Sequence, residues 1–412
     1  MFYFRKMTVF LLLGVGLVLV SCSKNPSESG KPDIPQNLGE TEKALAESGN
    51  AFAFNLLEVI NAGEENNNLF ISPLSISYAL GMAYNGAAGD TRDSIAAVLQ
   101  VLGMESEEFN QSYYNLMSFL IGVDSQVQMS IANSMWPRMG FILLEDFVST
   151  NQKYFAAEIE PLDFDDPEAA DIINRWVAEK TNDKIESIVT PPISPETILF
   201  LINAVYFKGT WTFRFDPEYT QEAPFYAYNG SEVSCQMMSQ KCSLDVFLGD
   251  DFVMAEIPYN LGAFNMTVLL PNPGVDINEF VGRINCDNWK SWQGQLSLNE
   301  VNLWMPRFQV ETEYSLEKPL SDLGMGIAFL PYTADFSGIT GNRDIYISRV
   351  KHKGFIEVNE EGTEAAAVTS IEFGNTSDGP QMTIIRLNRP FVYIIHEVNS
   401  GAILFMGKLM EP

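Results

Sequence analysis

The hydrophobic pattern of this chain changes its period near residue 190, and that change restricts the possible folds. Before it, apolar residues such as Leu45, Phe52 and Leu56 recur at about 3.6-residue spacing, and helical periodicity continues to about Val189. After it, apolar residues alternate or form short continuous runs, which is typical of strands. Helices followed by strands predict an α+β domain with substantial sheets. Because no linker interrupts residues 40–412, we expect one folded domain there.

Eight segments in the second half of the chain have strand character. The predicted strands are 197–208, 253–259, 264–271, 301–310, 354–358, 382–387, 391–398 and 402–409. The first of these is almost continuously apolar, which indicates a strand covered on both faces. The last two form an apolar pair around the turn Asn399–Gly401.

The N-terminal residues have the pattern of a targeting signal. Arg5 and Lys6 give a basic start, and the apolar run Met7–Val20 that follows is short for a membrane span. It ends in Leu-Val-Ser-Cys at Cys22, which resembles the lipobox of bacterial lipoproteins, whose cysteine is lipidated. A plain secretory signal with an incidental cysteine is the alternative.

The lipobox resemblance implies removal of a signal peptide, residues 1–21, and lipidation of Cys22. Residues 22–39 are polar and rich in Pro, Gly and Ser, so they would form a flexible tether. We therefore expect an exported protein anchored to the bacterial cell envelope. Ser23 does not resemble an inner-membrane retention signal, which favours the outer membrane or the cell surface.

The charge balance excludes some partners. The chain has 25 Lys and Arg against 53 Asp and Glu. Such a surface repels nucleic-acid phosphates and anionic lipid, so nucleic acid is not an expected partner and membrane contact is expected through the lipid anchor only.

The remaining cysteines and the histidines do not indicate catalysis or metal binding. Cys235, Cys242 and Cys286 give no disulfide framework; Cys235 and Cys242 are close enough to face each other across a hairpin, but we do not expect them to pair. The two histidines, His352 and His396, belong to no zinc or nucleophile motif. The sequence predicts no enzyme activity, cofactor or metal, and His396 is expected to be structural.

Eight motifs resemble those of the serpin family and occur in the same order. They are Asn68–Asp90, Ile173–Ile185, Asn203–Trp211, Glu256–Tyr259, Met305–Phe308, Leu323–Met325, Ala334–Gly338, and Asn388–Phe391 with Leu404–Gly407. One such motif would be weak evidence of membership in the family, but eight motifs in the family's order over nearly the whole chain are specific for it. Asp183 departs from the pattern, because a glycine is usual at that position.

The resemblance implies a fold of three β-sheets and about nine helices, with an exposed reactive-centre loop near the C-terminus. It also implies that Ser72, Ser75, Asn203 and His352 lie beneath the main sheet, where strands part to admit the loop. Trp211 would lie near the top of that opening.

The segment 360–370 resembles the hinge of inhibitory serpins. Its expected hinge residues are Glu360, Gly362, Thr363, Glu364, Ala365, Ala366, Ala367 and Thr369. A loop that must enter a sheet as a new strand needs small side chains and no proline, and residues 360–379 contain none. A flexible linker of acidic residues and alanine is the alternative.

Side-chain alternation fits an insertable strand. If Thr363 points into the sheet, so do Ala365, Ala367, Thr369, Ile371 and Phe373. The opposite face then carries Glu364, Ala366, Val368, Ser370 and Glu372. Both charges stay outside, which avoids the cost of burying an unpaired charge.

The usual loop length of the family predicts a reactive bond at Thr376–Ser377, with Phe373, Asn375 and Ser377 as other candidates for the residue before the bond. A small uncharged residue before the reactive bond fits the specificity pocket of elastase-like or subtilisin-like proteases. The predicted function is irreversible suicide inhibition of serine proteases by a monomer that forms a covalent complex with its target; cysteine proteases are a further possible target. A non-inhibitory serpin acting as a surface binding protein is the alternative.

Overall fold

The computed structural model describes residues 38–363 and 382–412, and these form an α+β fold. The helices are α1 Glu40–Asn61, α2 Pro73–Tyr84, α3 Gly89–Val98, α4 Ser106–Gly122, α5 Glu145–Phe155, α6 Ala169–Lys180, α7 Ile277–Val281, α8 Cys286–Gln293, α9 Glu317–Leu320 and α10 Ser337–Thr340. The strands are β1 Leu69–Ile71, β2 Gln128–Pro137, β3 Glu158–Ile159, β4 Leu199–Thr210, β5 Gln221–Tyr226, β6 Glu232–Leu248, β7 Phe252–Tyr259, β8 Phe264–Pro271, β9 Ser297–Pro306, β10 Phe308–Ser315, β11 Lys351–Val358, β12 Gly362–Thr363, β13 Thr383–Arg386, β14 Phe391–Glu397 and β15 Ile403–Leu409.

These strands form two hydrogen-bonded sheets. The six-stranded sheet has the order β10-β11-β12-β4-β2-β3. In the nine-stranded sheet the order is β1-β15-β14-β8-β7-β6-β9-β13, and β5 also pairs with β6. β6 is 17 residues long, so different parts of it pair with β5, β7 and β9 and join these strands into one continuous sheet. The predicted α+β class is confirmed.

Strand β4 is covered on both faces, as its apolar sequence predicts. On one face, Ile202 and Ala204 pack with Ile173 and Val177 of α6 in a small core. On the other, Val205 and other β4 side chains join the main core, against which α2 packs. Burying both faces of a strand requires apolar residues at consecutive positions rather than alternating ones.

Helix α2 lies beneath the six-stranded sheet and is buried over most of its length. Ser72 caps its N-terminus by accepting a hydrogen bond from the Ser75 backbone N–H at 3.2 Å, and Pro73 occupies the first turn. A Cβ on Gly81 would lie 2.9 Å from the Phe155 ring, so glycine allows close packing against α5. Gly81 therefore lets α2 pack closely against α5, and α2 also packs against β4.

The sequence-based prediction of helical structure up to Val189 was wrong in part. α6 ends at Lys180, and β1, β2 and β3 are strands within the predicted helical half. β2 is an interior strand because it pairs with β4 along its whole length, a contact with residues about 70 positions away. Local periodicity does not contain that information.

One further expectation differs from the structure. The predicted strand 301–310 is divided at Arg307 into β9 and β10, which belong to different sheets. Cys235 and Cys242 both lie on the uninterrupted strand β6, so they do not face each other across a hairpin, and both are free thiols. Seven residues along one strand separate them by about 23 Å.

Candidate functional site

Among the described residues, the gap between β4 and β11 is closed at one end, by β12. β12 has two residues, whereas β4 has twelve and β11 has eight. β12 pairs Thr363 with Val358 of β11 and with Gly209 of β4. We call this end, where β4 and β11 finish, the upper end. In the lower part, β4 and β11 make no pairing with each other among the residues that the structure describes.

Thr363 points into the protein at the upper end. Its side chain is buried, and its Oγ1 lies 2.6 Å from the hydroxyl of Tyr259. Tyr259 stacks on Trp211, with ring centroids 4.5 Å apart. Burial raises the pKa of Tyr259 far above its ordinary value, so this phenol stays neutral. The two hydroxyls are therefore joined by a hydrogen bond in which either of them can be the donor.

Glu360 is fixed by an ion pair with Arg307. The Arg307 Nε lies 2.7 Å from each carboxylate oxygen of Glu360, and the Thr220 hydroxyl also donates to this carboxylate. Burial alone would raise the pKa of Glu360, but the hydrogen bonds from Arg307 and Thr220 lower it below the ordinary value. Glu360 is therefore ionised at neutral pH, and it ties the start of the hinge to the residue between β9 and β10 and to the residue just before β5.

Trp211 holds the residues between β11 and β12. Its indole Nε1 donates to the Asn359 carbonyl at 2.9 Å, and its backbone N–H donates to the Glu361 carbonyl at 2.8 Å. Gly362 needs to be glycine here, because a Cβ would lie 2.0 Å from the Gly209 carbonyl oxygen. The upper end is thus a set of directional contacts that fix the register of Thr363.

The predicted sheet-opening residues meet beneath the gap. The Ser72 backbone N–H donates to His352 Nε2 at 3.0 Å, and the Ser72 hydroxyl donates to the Leu404 carbonyl at 2.8 Å. The Ser75 hydroxyl donates weakly, at 3.4 Å, to the Asn203 carbonyl. Ser72, Ser75, Asn203 and His352 therefore connect α2, β4, β11 and β15, while Trp211 lies apart at the upper end.

His352 is neutral in this arrangement. Complete burial lowers its pKa to about 4. Because Nε2 accepts a hydrogen bond from Ser72, the ring proton resides on Nδ1, and protonation of Nε2 would break that bond.

Asn203 has one amide atom without a partner. Asn133 Nδ2 donates to the Phe155 carbonyl at 2.7 Å, so Asn133 presents its oxygen to β4, and Asn203 Nδ2 donates to it at 2.8 Å. The orientation of the Asn203 amide follows, and its buried Oδ1 has no hydrogen-bond partner in the described part of the chain. Such an atom is an acceptor that a further group can satisfy.

The lower part of the gap opens into a cleft of about 840 Å³. It is bounded by β4, by the segment leading into β11, by α2 and by the segment that follows α6. Its aliphatic lining includes Ile76, Leu80, Ile188, Ile193, Leu199, Leu201, Ile345 and Ile347. Asn203 and His352 also line it, between the aliphatic part and β12.

The sequence motifs alone indicate no role for Arg307, Tyr259 or Thr220. Arg307 and Tyr259 lie in matched motifs, 305–308 and 256–259, but nothing local shows that they reach the hinge. Thr220 lies in none of the matched motifs, so no sequence pattern indicated a role for it. Each of the three bonds a residue 53 to 140 positions away.

Several predicted positions lie outside the described residues. These are Cys22, the hinge residues Glu364, Ala365, Ala366, Ala367 and Thr369, and the reactive bond Thr376–Ser377. Among the described residues, no cluster of His, Cys, Asp or Glu could hold a metal ion, and no helix is long and apolar enough to cross a bilayer.

Comparison with known proteins identifies the family. Residues 47–412 match the family model of the serpin, a serine protease inhibitor. An uncharacterized serpin-like protein of Thermococcus kodakarensis is 34% identical over 95% of this chain and 93% of its own. Native tengpin, a thermophilic serpin, has a TM-score of 0.83 at 28% identity, covering 93% of this chain and 97% of its own.

A human thyroxine-binding globulin, in complex with its ligand, has a TM-score of 0.82 at 26% identity, covering 90% of this chain and 99% of its own. Serpins are in general inhibitors of proteases rather than catalysts, although this relative has a binding function. Both solved structures share most of the described fold, and the family model covers residues 47–412, so the chain belongs to the serpin family.

Proposed function

We propose that this protein is a suicide-substrate inhibitor of serine proteases that traps the acyl-enzyme by inserting its cleaved loop between β4 and β11. The observation that carries this proposal is the register of β12. Thr363 faces Gly209 and Val358, so continuing the same antiparallel register by six residues brings Thr369 opposite both Asn203 and His352. The hydroxyl of Thr369 would then reach the unpartnered Oδ1 of Asn203.

The same register matches apolar with apolar residues further down. Ile371 would come opposite Leu201, and Phe373 opposite Leu199, both of which line the aliphatic part of the cleft. Burying two large apolar side chains contributes about 1.5–3 kcal/mol each. About a dozen ladder hydrogen bonds at roughly 0.5–1.5 kcal/mol each add on the order of 10 kcal/mol. Insertion is therefore strongly favoured once the loop is cut.

The target class follows from the reactive bond. With Thr376 before the bond, we propose a protease of the elastase-like or subtilisin-like type, because their pockets accept small uncharged side chains. Incubation of residues 36–412 with elastase-like, subtilisin-like, chymotrypsin-like and trypsin-like enzymes tests this. We expect a complex that survives denaturing electrophoresis and a released fragment beginning at Ser377. Cleavage by every enzyme without a covalent complex would exclude the trapping mechanism.

The register itself is tested by Thr369→Val, with Ser370→Ala as the matched control. Removing the Thr369 hydroxyl leaves Asn203 Oδ1 buried and unpaired after insertion, so we expect about tenfold less covalent complex relative to cleaved product. Ser370 would face outward, and its variant should behave as the parent does. Equal effects at both positions would contradict the register.

A non-inhibitory binding role is the second candidate, and the likeness to thyroxine-binding globulin favours it. The thermal midpoint after loop cleavage separates the two. An inhibitor gains stability because the cut loop inserts as a strand, whereas a binding protein whose loop does not insert keeps its original midpoint.

We also propose lipid anchoring through Cys22 at the cell envelope. The support is the basic start, the short apolar run and the Leu-Val-Ser-Cys sequence that ends at Cys22. Mass spectrometry of the protein from its native membrane should show an acylated N-terminal cysteine. A Cys22→Ser variant should lose acylation and membrane association.

A further inference from the structure

The loop between β2 and α5 exposes an unbroken run of apolar residues. Residues 139–144 read Met-Gly-Phe-Ile-Leu-Leu, and none of them is fully buried. Met139, Ile142 and Leu144 are 62%, 83% and 40% exposed. Single exposed apolar residues are ordinary on protein surfaces, whereas a contiguous exposed run indicates an interaction site.

This loop is held in place by the folded domain. Phe141 and Leu143 pack against the main core, so their neighbours are the side chains that project outward. The Leu144 backbone N–H donates to the carbonyl of Ile339 in α10 at 2.8 Å. The exposed side chains are therefore presented on a fixed backbone, and the described fold does not bury them.

A second exposed apolar residue lies at the same end of the domain. Tyr332 is 99% exposed and has a φ of 63°, a left-handed conformation that bulky residues rarely adopt. Tyr332 and Ile339 both line the cleft, and Ile339 bonds to the loop. Tyrosine is enriched where lipid meets water, because its ring is apolar and its hydroxyl is polar.

The loop is far from the hinge. The Arg138 backbone N–H, at the start of the loop, donates to the Ile198 carbonyl at 2.8 Å, just before β4 begins. The hinge pairs with Gly209, near the other end of β4. A strand of twelve residues is about 40 Å long, so a surface bound by the loop would leave the hinge open to a protease.

Charge and size indicate what covers the loop. Residues 139–144 are uncharged, Arg138 is paired with Asp165 at 2.9 Å, and Glu145 and Asp146 follow the loop. These acidic residues disfavour an anionic surface. A stable dimer needs roughly 20–30 residues from each partner, far more than this loop supplies. Apolar side chains that enter a neutral lipid surface need neither opposite charge nor a large matching interface.

The proposed lipid anchor would keep such a surface within reach. The expected tether, residues 22–39, would have a root-mean-square length of about 25 Å. A lipid on Cys22 would therefore hold the domain near the bilayer at a high effective concentration, where even weak insertion by the loop is sufficient.

We propose that the loop Met139–Leu144 inserts its apolar side chains into the neutral lipid surface of the membrane that carries the anchor, and thereby directs the hinge toward the solvent. This inference rests on the proposed lipid anchoring and adds a second membrane contact to it. The acidic balance of the chain opposes contact with anionic lipid but not with neutral lipid.

Flotation with lipid vesicles tests the loop without the anchor, using residues 22–412 with Cys22→Ser so that no acyl chain contributes. We expect binding to vesicles of phosphatidylcholine and phosphatidylethanolamine, and about threefold weaker binding or less when phosphatidylglycerol is added. Absence of binding to the neutral vesicles would overturn the proposal. Tighter binding to the anionic vesicles would also overturn it, because a cationic surface would then be responsible.

Variants in the same chain locate the contact. Ile142→Asp and Met139→Asp each place a charge in the inserted loop, so each should weaken vesicle binding about tenfold or more. Leu102→Asp is the matched control, because Leu102 is 65% exposed and lies after α3. Equal losses at all three positions would overturn the location. A concentration-dependent dimer that Ile142→Asp abolishes, with no vesicle binding, would instead assign the loop to a second copy of the chain.

Brominated phosphatidylcholine measures insertion directly. Relative to the parent, it should quench the added fluorescence of Ile142→Trp but not that of Leu102→Trp, and equal quenching would contradict insertion. Mass spectrometry of Cys22 separates this inference from the anchor. An acylated Cys22 without vesicle binding by the Cys22→Ser chain keeps the anchor and overturns the role of the loop, whereas vesicle binding with an unmodified Cys22 does the reverse.

Discussion

The two ends of the gap between β4 and β11 are built from different interactions. The upper end consists of directional contacts: Glu360 with Arg307, Thr363 with Tyr259, and Trp211 with the Asn359 carbonyl. The lower part is a cleft whose lining combines aliphatic side chains with polar ones at its rim, and Asn203 and His352 lie between it and the upper end. Directional contacts fix where a strand begins and in which register it pairs. Apolar contacts stabilise the buried state but, being non-directional, do not select a register.

In the proposed mechanism, the two ends of the gap therefore have different roles. The upper end holds the first two residues of the future strand in place before any cleavage. In the lower part, apolar surface stays unburied until the cleaved loop inserts there as a strand. Variants at the two ends of the gap separate these two contributions.

The largest effect is expected from Thr363→Arg at the upper end. A guanidinium placed beside Tyr259 would be buried without a counter-charge, so the hinge should be expelled and insertion should stall. We expect the ratio of covalent complex to cleaved product to fall about a hundredfold or more. Glu364→Arg is the control, since that side chain would face outward. Inhibition by Thr363→Arg at the parental level would show that the upper end does not set the register.

The second effect is pH-dependent and concerns His352, between the two parts. The folded-state pKa of about 4 is depressed below the ordinary value near 6.5, so its contribution to stability is present above pH 6.5 and is lost as pH falls toward 4. The free energy of unfolding should decrease by on the order of 3 kcal/mol over that range. Denaturant unfolding at several pH values measures this decrease.

A His352→Gln variant supplies the control for that titration. It removes the ionisable group but keeps an acceptor for Ser72, so its stability should vary less with pH between 6.5 and 4 than that of the parent. Identical pH profiles of the two proteins would show that His352 is not the group responsible.

The third effect concerns the ion pair at the upper end. Glu360→Gln removes the charge that faces Arg307, which should lower the free energy of unfolding by about 1–2 kcal/mol, a modest loss because Arg307 is partly exposed. The pKa of Glu360 is lowered in the folded state, so its contribution is present above the ordinary carboxyl pKa and is lost as pH falls below it. The difference in free energy of unfolding between the parent and Glu360→Gln should therefore shrink at acidic pH. A difference that does not change with pH would contradict the assignment of this stabilisation to ionised Glu360.

The smallest effect is expected from Thr220→Val. It removes one hydrogen bond to Glu360 but leaves the pair with Arg307, so the loss should be about 0.5–1.5 kcal/mol. If Thr220 and Arg307 support the same carboxylate, the Thr220→Val change should cost less in a Glu360→Gln background. A double-mutant cycle measures this coupling, and strict additivity would argue against a shared role.

Local sequence patterns predicted most strands of the second half but missed β5 and the 17-residue strand β6. The segment 264–271 coincides with β8, and the other predicted strands differ at their ends, except where Arg307 divides one of them. Their apolar runs and turn residues carry the local information. The strands of the first half were missed, because β2 contains mixed polar and apolar residues whose burial depends on pairing with β4.

The candidate site was predictable only in part. The family motifs pointed to Ser72, Ser75, Asn203, Trp211 and His352, and the structure brings the first three together with His352. They did not indicate that the Asn203 amide has an unpartnered oxygen. That result depends on the chain of bonds from Phe155 through Asn133, which crosses three separate elements.

By itself, the sequence determined the alternation of small residues after Gly362, the absence of proline there and the apolar character of β4. These are local properties, because side-chain size, backbone restriction and hydrophobic pattern are set residue by residue. The tertiary structure pairs Gly362 and Thr363 with β4 and β11, holds Glu360 with Arg307 and Thr220, and leaves a cleft below with a partly aliphatic lining. These features depend on contacts between residues far apart in the chain, and no local pattern encodes such distances.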